Sequence, residues 1–363
     1  MNNEDQTPTP SMDLNLNRRR FLEVASGTAT LATMAGAAIP RDAFAGSHDA
    51  PNPAAPLKDL RGKVAFITGG SSGIGLGIAR ACKEAGMKVC VSYRTQSHMD
   101  EAKEFFADDP DNFHYVRLDV TDRDGMKKAA DEVEQRFGKV HLLVLNAGVG
   151  VGASASSATY NDWDFAIGVN LYGVVNGVHE FLPRMVAHGE PAQIVTTSSM
   201  SGVFHGANAT VYTTTKYAVV GMMEGLRGEL ADKNIGVSAF VPGGVNTNIR
   251  NSERNRPEEL RNEGVPDAAP QAARGPAPAR PAGPPPGMDP LECGRLVLRG
   301  VKRNDMWIIT HPEYGQGVKE RCEALVLSIP VGDPPAPPER VAFEARVLTH
   351  KVYTDELARL KGA

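Results

Sequence analysis

Two side chains four positions apart, Tyr212 and Lys216, form the pair in this sequence that is best suited to proton transfer. They fall in a segment with helical periodicity, and residues four apart lie on the same face of a helix. A tyrosine hydroxyl with a pKa near ~10 is a poor base at neutral pH, but a neighbouring ammonium stabilises the phenolate and lowers that pKa. The pair therefore predicts a tyrosine that exchanges protons near neutral pH.

A serine upstream gives this pair a substrate-binding partner. Ser199 precedes Tyr212 by 13 positions (212 − 199) and ends a predicted strand. Its hydroxyl could hold the oxygen on which the proton transfer occurs. By itself, a tyrosine and a lysine at this spacing are more commonly a solvated helix face. The pair gains weight from Ser199 and from a glycine-rich turn further upstream.

That turn joins the first predicted strand, 64–68, to a helix predicted over about 73–85, and it reads Thr68-Gly69-Gly70-Ser71-Ser72-Gly73-Ile74-Gly75. Glycines let the backbone approach a pyrophosphate, and the free N–H groups of the following helix attract the anion. The spacing is not G-x-G-x-x-G, because Ile78 stands where the third glycine would fall. The placement between strand and helix favours a nucleotide-binding turn.

Apolar strand-like runs alternate with helical patterns along the rest of the chain. Further strands are predicted at 89–93, 115–118, 142–145, 193–197, 237–241 and 306–309, and further helices at 126–137, 160–188 and 212–232. Such alternation indicates βαβ units. The predicted fold class is α/β: a Rossmann-type, doubly wound parallel sheet of about seven strands, three-layer αβα, in one domain over 60–329.

The pattern T-G-x-x-x-G-I-G that begins at Thr68 resembles the short-chain dehydrogenase/reductase family. Similar motifs follow in order: Asn146-Ala147-Gly148, Asn170, Ser199, Tyr212-x-x-x-Lys216, and Pro242-Gly243 with Thr247. The resemblance covers about 60–250. It implies an NAD(P)-dependent oxidoreductase that interconverts a secondary alcohol and a ketone by hydride transfer, with Tyr212 as acid/base.

The resemblance also implies roles residue by residue. Asn170, Ser199, Tyr212 and Lys216 match the catalytic set, with Asn170 anchoring a proton-relay water and Lys216 also reaching the nicotinamide ribose. Ser198 is the alternative serine, but the spacing of Ser199 to Tyr212 fits the family better. The implied cofactor-binding residues are Thr68, Gly69, Ser71, Ser72, Gly73, Ile74, Gly75, Tyr93, Arg94, Asp119, Val120, Asn146, Ala147, Gly148, Tyr212, Lys216, Pro242, Gly243, Val245 and Thr247.

The end of the second strand bears on which cofactor is used. An acidic residue there binds the ribose hydroxyls of NAD, whereas a basic residue pairs with the 2′-phosphate of NADP. No acidic residue lies between Glu84 and Asp100, and Arg94 follows the strand. We therefore expect NADP rather than NAD, while a solvent-exposed Arg94 with NAD accepted through neutral contacts is the alternative.

Composition limits the partners. The 363 residues carry a net charge of −4, which gives no reason to expect nucleic acid. No apolar run is long enough for a membrane span. The four cysteines form no CxxC pair, so no metal site is expected, and Cys82 and Cys90 fit buried core thiols.

The N-terminal segment 1–45 resembles a twin-arginine export signal. Arg18-Arg19-Arg20-Phe21-Leu22 precedes a weakly apolar stretch, and Ala43-Phe44-Ala45 is a small-residue cleavage pattern. The predicted location is periplasmic, and cytoplasmic if the signal is inefficient. A proline-rich linker is expected at 46–59.

Two further segments stand out by composition. Residues 251–290 are rich in Pro, Ala and Gly and predict a mobile substrate-loop insertion. Residues 330–363 predict a proline-rich piece and one helix from about 339 to 360 that packs on the domain or on another subunit. The family resemblance favours a homodimer or homotetramer.

The substrate and two competing functions remain open at this level. Ile167–Leu171 and the late stretch Trp307–Glu313 resemble a bacterial subgroup of Cα-dehydrogenases that act on benzylic alcohols of lignin-derived aryl ethers. The resemblance implies a small-molecule substrate that is a bulky aryl or alicyclic alcohol or the matching ketone. The alternatives are a dinucleotide-binding redox sensor with little turnover, and an epimerase or dehydratase on the same scaffold.

Overall fold

The computed structural model describes residues 56–205, 209–262, 287–330, 336–344 and 350–362. The predicted export signal at 1–45 lies outside the described residues, as does the centre of the predicted insertion, 263–286. Among the helices of the described ranges, none is long and apolar enough to cross a membrane.

Seven strands of the described chain form one parallel sheet in the order β3-β2-β1-β4-β5-β6-β7. Their bounds are β1 Val64–Ile67, β2 Lys88–Tyr93, β3 Phe113–Arg117, β4 Leu142–Leu145, β5 Ala192–Thr197, β6 Ile235–Val241 and β7 Trp307–Ile309. Every residue of β1 and β6 is buried, as expected for parallel strands covered on both faces. The predicted doubly wound sheet is confirmed.

Helices cover both faces of this sheet. Their bounds are α1 Gly73–Glu84, α2 Gln96–Lys103, α3 Arg123–Phe137, α4 Tyr160–Ile167, α5 Gly173–His188, α6 Thr210–Glu229, α7 Pro290–Arg303, α8 Gly315–Leu327, α9 Pro338–Glu344 and α10 Lys351–Gly362. Neighbouring residues of β1 enter different apolar clusters: Phe66 packs in one and Ile67 in the other. Two cores on opposite faces of one sheet give the three-layer αβα arrangement.

The helix α7 was not predicted, because it follows directly on the proline-rich stretch. Asp289 caps it by accepting hydrogen bonds from the backbone N–H groups of Leu291 and Glu292. It packs on α1 without a gap: a Cβ added at Gly77 would lie 1.8 Å from the carbonyl oxygen of Pro290. A Cβ added at Gly294 would lie 2.3 Å from the carbonyl oxygen of Gly77. Glycine is required at both positions for this close approach.

The two ends of the domain differ in detail from the sequence prediction. Leu57, inside the predicted linker 46–59, is buried in the core. The helix predicted over 339–360 is described as α9 and α10, with 345–349 outside the described residues. The helix α10 packs on this domain, where the buried Glu356 accepts a hydrogen bond from the backbone N–H of Met306 at 3.2 Å.

The strand order creates a crevice beside β1. After β1 the chain builds the sheet outward through β2 and β3, and then returns to place β4 on the other side of β1. The connections after β1 and β4 therefore leave the sheet in opposite directions. At such a topological switch point, ligands bind outside the carboxyl ends of the strands.

Candidate active site

A cavity of about 400 Å³ lies at the carboxyl ends of the strands, beside the crevice between β1 and β4. Of the residues predicted for catalysis or cofactor binding, all but Thr68, Gly75 and Asn170 line this cavity. Those three stand behind its wall, and their contacts hold the residues that do line it. The fold thus brings together motifs that are spread over 180 positions of sequence (247 − 68 + 1).

The glycine-rich turn forms one wall. Gly69 and Gly73 have φ angles of +64° and +52°, a region that favours glycine. Ser72 is the N-cap of α1 but makes no side-chain capping bond, and no acidic side chain lies in the first turn. A Cβ on Gly75 would lie 2.3 Å from the carbonyl oxygen of Gly69, so α1 starts directly against the turn. This positive helix end fits the pyrophosphate of a dinucleotide.

Thr68 and Asn146 fix the ends of β1 and β4. The buried Thr68 Oγ1 accepts hydrogen bonds from the backbone N–H groups of Asn146, at 2.9 Å, and Ala147, at 3.0 Å. The Asn146 Nδ2 donates to the Thr68 carbonyl oxygen at 3.1 Å. Thr197 donates from Oγ1 to Asn146 Oδ1 at 3.1 Å, which adds the end of β5. Thr68 therefore shapes the cavity floor without lining it.

The side chains of Tyr212 and Ser199 face each other closely enough for Ser199 to lower the pKa of the tyrosine. The Ser199 Oγ also accepts a hydrogen bond from the backbone N–H of Ser201 at 3.1 Å. Tyr212 lies in the first turn of α6, and Ser199 follows β5. Burial raises the pKa of Tyr212, and the interaction with Ser199 offsets part of that rise. The sequence predicted a lowered pKa for Tyr212, whereas in this structure the pKa is raised, because burial disfavours the phenolate more than the interaction with Ser199 favours it.

Lys216 lies one helical turn beyond Tyr212, with Nζ 5.5 Å from the centre of the tyrosine ring. The buried Nζ donates to the carbonyl oxygen of Thr197 at 2.9 Å. Burial lowers the pKa of Lys216 to about 8. The predicted shared helix face is confirmed by this geometry, but the ammonium is held by the end of β5 as well as facing the tyrosine.

The two neighbouring serines have separate tasks. The buried Ser198 donates from Oγ to the carbonyl oxygen of Lys216 at 2.8 Å, which holds β5 against α6. Ser199 lines the cavity, and its side chain lowers the pKa of Tyr212. The geometry therefore favours Ser199 as the substrate-binding serine, as the sequence spacing predicted.

Asn170 lies in a π-helical turn, Gly168–Tyr172, between α4 and α5. Its Oδ1 accepts from the backbone N–H of Val149 at 2.8 Å, and its Nδ2 donates to the Val149 carbonyl oxygen at 3.0 Å and to Thr215 Oγ1 at 3.1 Å. These bonds fix the loop after β4 to α6. A Cβ on Gly148 would lie 3.2 Å from Asn170 Oδ1 and 3.5 Å from Lys216 Nζ, so the asparagine lies close to the lysine. The proton-relay role of Asn170 stays a prediction.

Arg94 lies at the far end of the cavity from Tyr212. Its Nη1 donates to the carbonyl oxygen of Asn255 at 2.6 Å, and its Nε lies 3.5 Å from Asp119 Oδ2. Both side chains of this ion pair are partly exposed, so the pair adds little to stability. Arg94 and Asp119 thus present one positive and one negative group at the end where an adenosine would lie.

One part of the cavity wall was missed by the sequence interpretation, which treated 251–290 as a single mobile insertion. Its first residues are folded over the cavity as two short 3₁₀ helices, Ile249–Asn255 and Glu258–Leu260. Arg250, Ser252, Arg254 and Asn255 line the cavity. The signal that could have identified this segment is the cluster of arginines between positions 250 and 256.

Arg256 anchors this segment to the domain. Its guanidinium is buried, with Nη2 donating to Asp162 Oδ1 at 2.8 Å and Nε donating to Glu253 Oε2 at 2.6 Å. It also lies over the ring of Phe165, 4.7 Å from the ring centre. Asp162 in turn forms the capping box of α4 with Thr159. The wall over the cavity is therefore tied to the start of α4.

The donor set of the site suits a dinucleotide better than a metal. Within the part of the chain that the structure describes, no group of three or more His, Cys, Asp and Glu side chains could hold a metal ion. The glycine turn, the free end of α1 and the hydroxyl pair at Tyr212 lie along one cavity. The glycine turn and the end of α1 fit a pyrophosphate, and the hydroxyls at Tyr212 fit a reacting oxygen at the nicotinamide end.

Comparison with known proteins agrees with this geometry. Residues 63–258 match a family model described as short chain dehydrogenase. A C alpha-dehydrogenase of Sphingobium sp. (strain NBRC 103272 / SYK-6) is 35% identical over 274 residues, which are 75% of this chain and 88% of that protein.

Solved structures show the same similarity. A short-chain dehydrogenase/reductase from Burkholderia phymatum, in complex with NAD, is 32% identical with a TM-score of 0.67, over 77% of this chain and 99% of that chain. The apo form of LigD from Sphingobium sp. strain SYK-6 is 33% identical with a TM-score of 0.62, over 76% of this chain and all, 100%, of that chain.

Proposed function

This chain belongs to the short-chain dehydrogenase family and is an NAD(P)-dependent oxidoreductase, and we propose that it uses NADP to interconvert a secondary alcohol carrying an aryl or alicyclic group with its ketone. The observation that carries the reaction is that the side chains of Ser199 and Tyr212 face each other in one cavity, with Lys216 one turn away. The substrate and the cofactor preference are the finer part of the proposal.

Proton transfer at the substrate oxygen is the task of Tyr212. In alcohol oxidation its phenolate takes the hydroxyl proton while the carbinol carbon gives up hydride, and in ketone reduction both movements reverse. Ser199 donates to or accepts from the same oxygen and so holds the carbon in place. When bound, the nicotinamide supplies the two-electron hydride acceptor or donor. Lys216 provides the positive charge that stabilises the phenolate.

Arg94 supports NADP. Its guanidinium lies at the rim of the cavity, and a guanidinium pairs well with a phosphate ester. The acidic residue at this end, Asp119, follows β3 rather than β2 and lies 3.5 Å from Arg94. Asp119 therefore does not supply a carboxylate at the end of β2, which is the position where an acidic residue binds the ribose hydroxyls of NAD. The glycine turn and Tyr93 would hold the rest of the dinucleotide.

The similarity to the Sphingobium C alpha-dehydrogenase supports a benzylic or related secondary alcohol. The decisive experiment is a panel of aryl and cyclic alcohols and ketones, followed by nicotinamide absorbance with NADP and with NAD. The proposal expects the highest kcat/KM for an aryl or alicyclic substrate with NADP. Turnover confined to linear aliphatic substrates, or to NAD, would contradict it.

The same proposal extends to location and assembly. The basic and apolar pattern of 1–45 supports twin-arginine export of the folded enzyme with its cofactor bound. Cell fractionation and nucleotide analysis of the periplasmic protein test this, and a nucleotide-free protein with micromolar or weaker affinity would count against it.

Exposed apolar side chains on and beside α5 (Tyr172, Val175 and Val186) support a dimer or tetramer, which light scattering measures.

A further inference from the structure

The turn that follows β7 takes no part in the chemistry described above, although the sequence Thr310-His311-Pro312-Glu313-Tyr314 stood out by its resemblance. His311 in this turn is buried, with 6% of its surface exposed. A buried imidazole needs partners for both ring nitrogens. Besides its neighbour Thr310, the partners of His311 lie in the loop that follows β6, on the wall of the cavity.

Both ring nitrogens of His311 bind backbone atoms of that loop. Nδ1 accepts a hydrogen bond from the N–H of Gly243 at 3.0 Å, and Nε2 lies 3.2 Å from the carbonyl oxygen of Gly244. The hydroxyl of the neighbouring Thr310 lies 2.9 Å from the same Nδ1. The neutral tautomer that carries its proton on Nε2 satisfies both contacts. Gly243 and Gly244 both line the cavity. One side chain therefore holds two successive peptide groups of the cavity wall.

The same contact reaches the catalytic serine. The residue before Gly243 is Pro242, whose carbonyl oxygen accepts the N–H of Met200 at 2.8 Å. Met200 directly follows Ser199. A displacement of the Gly243 peptide would move Pro242 and, through that hydrogen bond, the serine that contacts Tyr212.

Packing supports the hydrogen bonds from the same side. A Cβ on Gly243 would lie 2.6 Å from Tyr314 and 2.7 Å from the His311 ring, so the loop sits in contact with both rings. Tyr314 also packs against Phe204, with 5.6 Å between ring centres. Phe204 belongs to the loop that begins at Ser199. The turn after β7 thus supports both the Pro242–Gly244 loop and the serine loop.

We propose that His311 is a positioning residue for this reaction: it fixes the Gly243–Gly244 backbone at the cavity wall and, through Pro242, the Ser199 loop. The inference rests on the proposed function, because it takes a nicotinamide dinucleotide as the ligand that this wall contacts. It assigns a role to a residue that does not line the cavity and that acts on the cavity wall through the backbone of Gly243 and Gly244.

The test compares His311→Phe with a matched variant, His141→Phe, in the full chain. His141 is also buried, and its Nδ1 also accepts from a backbone N–H, that of Val64 at 3.2 Å, at the opposite, amino end of the sheet. Phenylalanine keeps an aromatic ring, somewhat larger than imidazole, and removes the Nδ1 acceptor in both cases. It also removes the Nε2 contact, which is with Gly244 at His311 and with Glu190 at His141. The measurements are the dissociation constants of NADPH and NADH, the melting temperature, and amide hydrogen exchange of residues 242–245.

Both variants are expected to lower the melting temperature, because each leaves a buried N–H unpaired. His311→Phe should also weaken binding of the preferred dinucleotide about tenfold and speed exchange at 242–245 by a similar factor, whereas His141→Phe should leave both within about twofold. Equal effects of the two variants on binding and exchange would overturn the proposal.

Two further comparisons keep the outcome decisive. His311→Asn keeps an acceptor near the position of Nδ1 and should recover part of the binding and exchange protection, and it is compared with His141→Asn if the phenylalanine variants do not fold. Failure of the wild type to bind either dinucleotide would count against the proposed function. In that case, amide hydrogen exchange of residues 242–245 in the free protein still tests whether His311 fixes this part of the backbone.

Discussion

Lys216 donates a hydrogen bond from Nζ to the carbonyl oxygen of Thr197, 2.9 Å away, and thereby joins the catalytic helix to the end of β5. The contact holds the ammonium 5.5 Å from the ring centre of Tyr212. Thr197 itself donates to Asn146. The position of the catalytic charge is therefore set by two neighbouring strands as well as by the helix that carries it.

Removal of the Tyr212 hydroxyl separates an enzyme from a cofactor sensor. Tyr212→Phe removes the group that moves the proton, so kcat is expected to fall by about 10²–10⁴-fold while dinucleotide binding persists. Steady-state assays measure kcat, and fluorescence titration measures dinucleotide binding. Tyr217→Phe, on the same helix but away from the cavity, is the control and should keep its activity. Persistent turnover by Tyr212→Phe would disprove the assignment.

Alcohol oxidation is expected to rise with pH through neutrality and into the alkaline range. Burial raises the pKa of Tyr212, and the phenolate fraction falls tenfold for each pH unit below that pKa. Ser199→Ala removes the interaction that lowers the pKa, so its profile should shift to higher pH in addition to losing activity. Profiles of kcat/KM against pH measure this, and an unmoved or acid-shifted Ser199→Ala profile would refute it.

Lys216 is expected to make the stability of the fold depend on alkaline pH. Its pKa is about 8 in the folded protein against 10.5 ordinarily, so between these values the unfolded chain binds more protons. The free energy of unfolding should therefore rise with pH across that window. Lys216→Met cannot ionise and lacks this gain. Urea unfolding at several pH values gives the difference between wild type and variant, which must grow with pH if the interpretation holds.

Arg94 is expected to set the preference for NADP. Arg94→Ala should raise KM for NADP by about 10–100-fold, the value of one or two charge-assisted hydrogen bonds, and should change KM for NAD much less. Steady-state kinetics with both cofactors on one substrate measure the ratio. Equal changes for the two cofactors would show that Arg94 acts only by tying Asn255 to the cavity rim.

Arg256 is expected to contribute strongly to stability. Arg256→Ala leaves the carboxylate of Asp162 without its buried partner and should lower the free energy of unfolding by ~3 kcal/mol. Arg295→Ala, which breaks the exposed pair with Glu84, is the matched control and should cost ~1 kcal/mol or less. Chemical denaturation measures both, and similar losses would show that burial does not distinguish the two pairs.

The repeating part of the fold was predictable because its signals are local. Each strand is a short apolar run, and the glycine turn at Gly69–Gly75 lies between a strand and a helix. The topology of such a sheet then places the motif residues at strand ends, so the sequence predicted that Ser199, Tyr212 and Lys216 meet.

What the sequence missed depends on contacts distant in the chain. The direction of the Tyr212 pKa is set by burial, which no local pattern reports. The segment 249–262 is rich in polar residues, and only the buried contact of Arg256 with Asp162 shows why it folds over the cavity. The resemblance of the stretch 307–313 did not reveal what His311 contacts, because two of its partners are backbone atoms 67 and 68 residues away and the third is the side chain of its neighbour Thr310.

The close packing of Gly77 against α7 has a consequence for how the polypeptide can be divided. A backbone cut anywhere between 263 and 286 would leave one fragment with the glycine turn and the tyrosine, and another with α7, β7 and His311. The second fragment is held by the β6–β7 ladder, by the glycine contact between α1 and α7, and by the Val245–Met288 bridge. The attachment of the second piece therefore depends on contacts between folded elements and not on the covalent connection through 263–286.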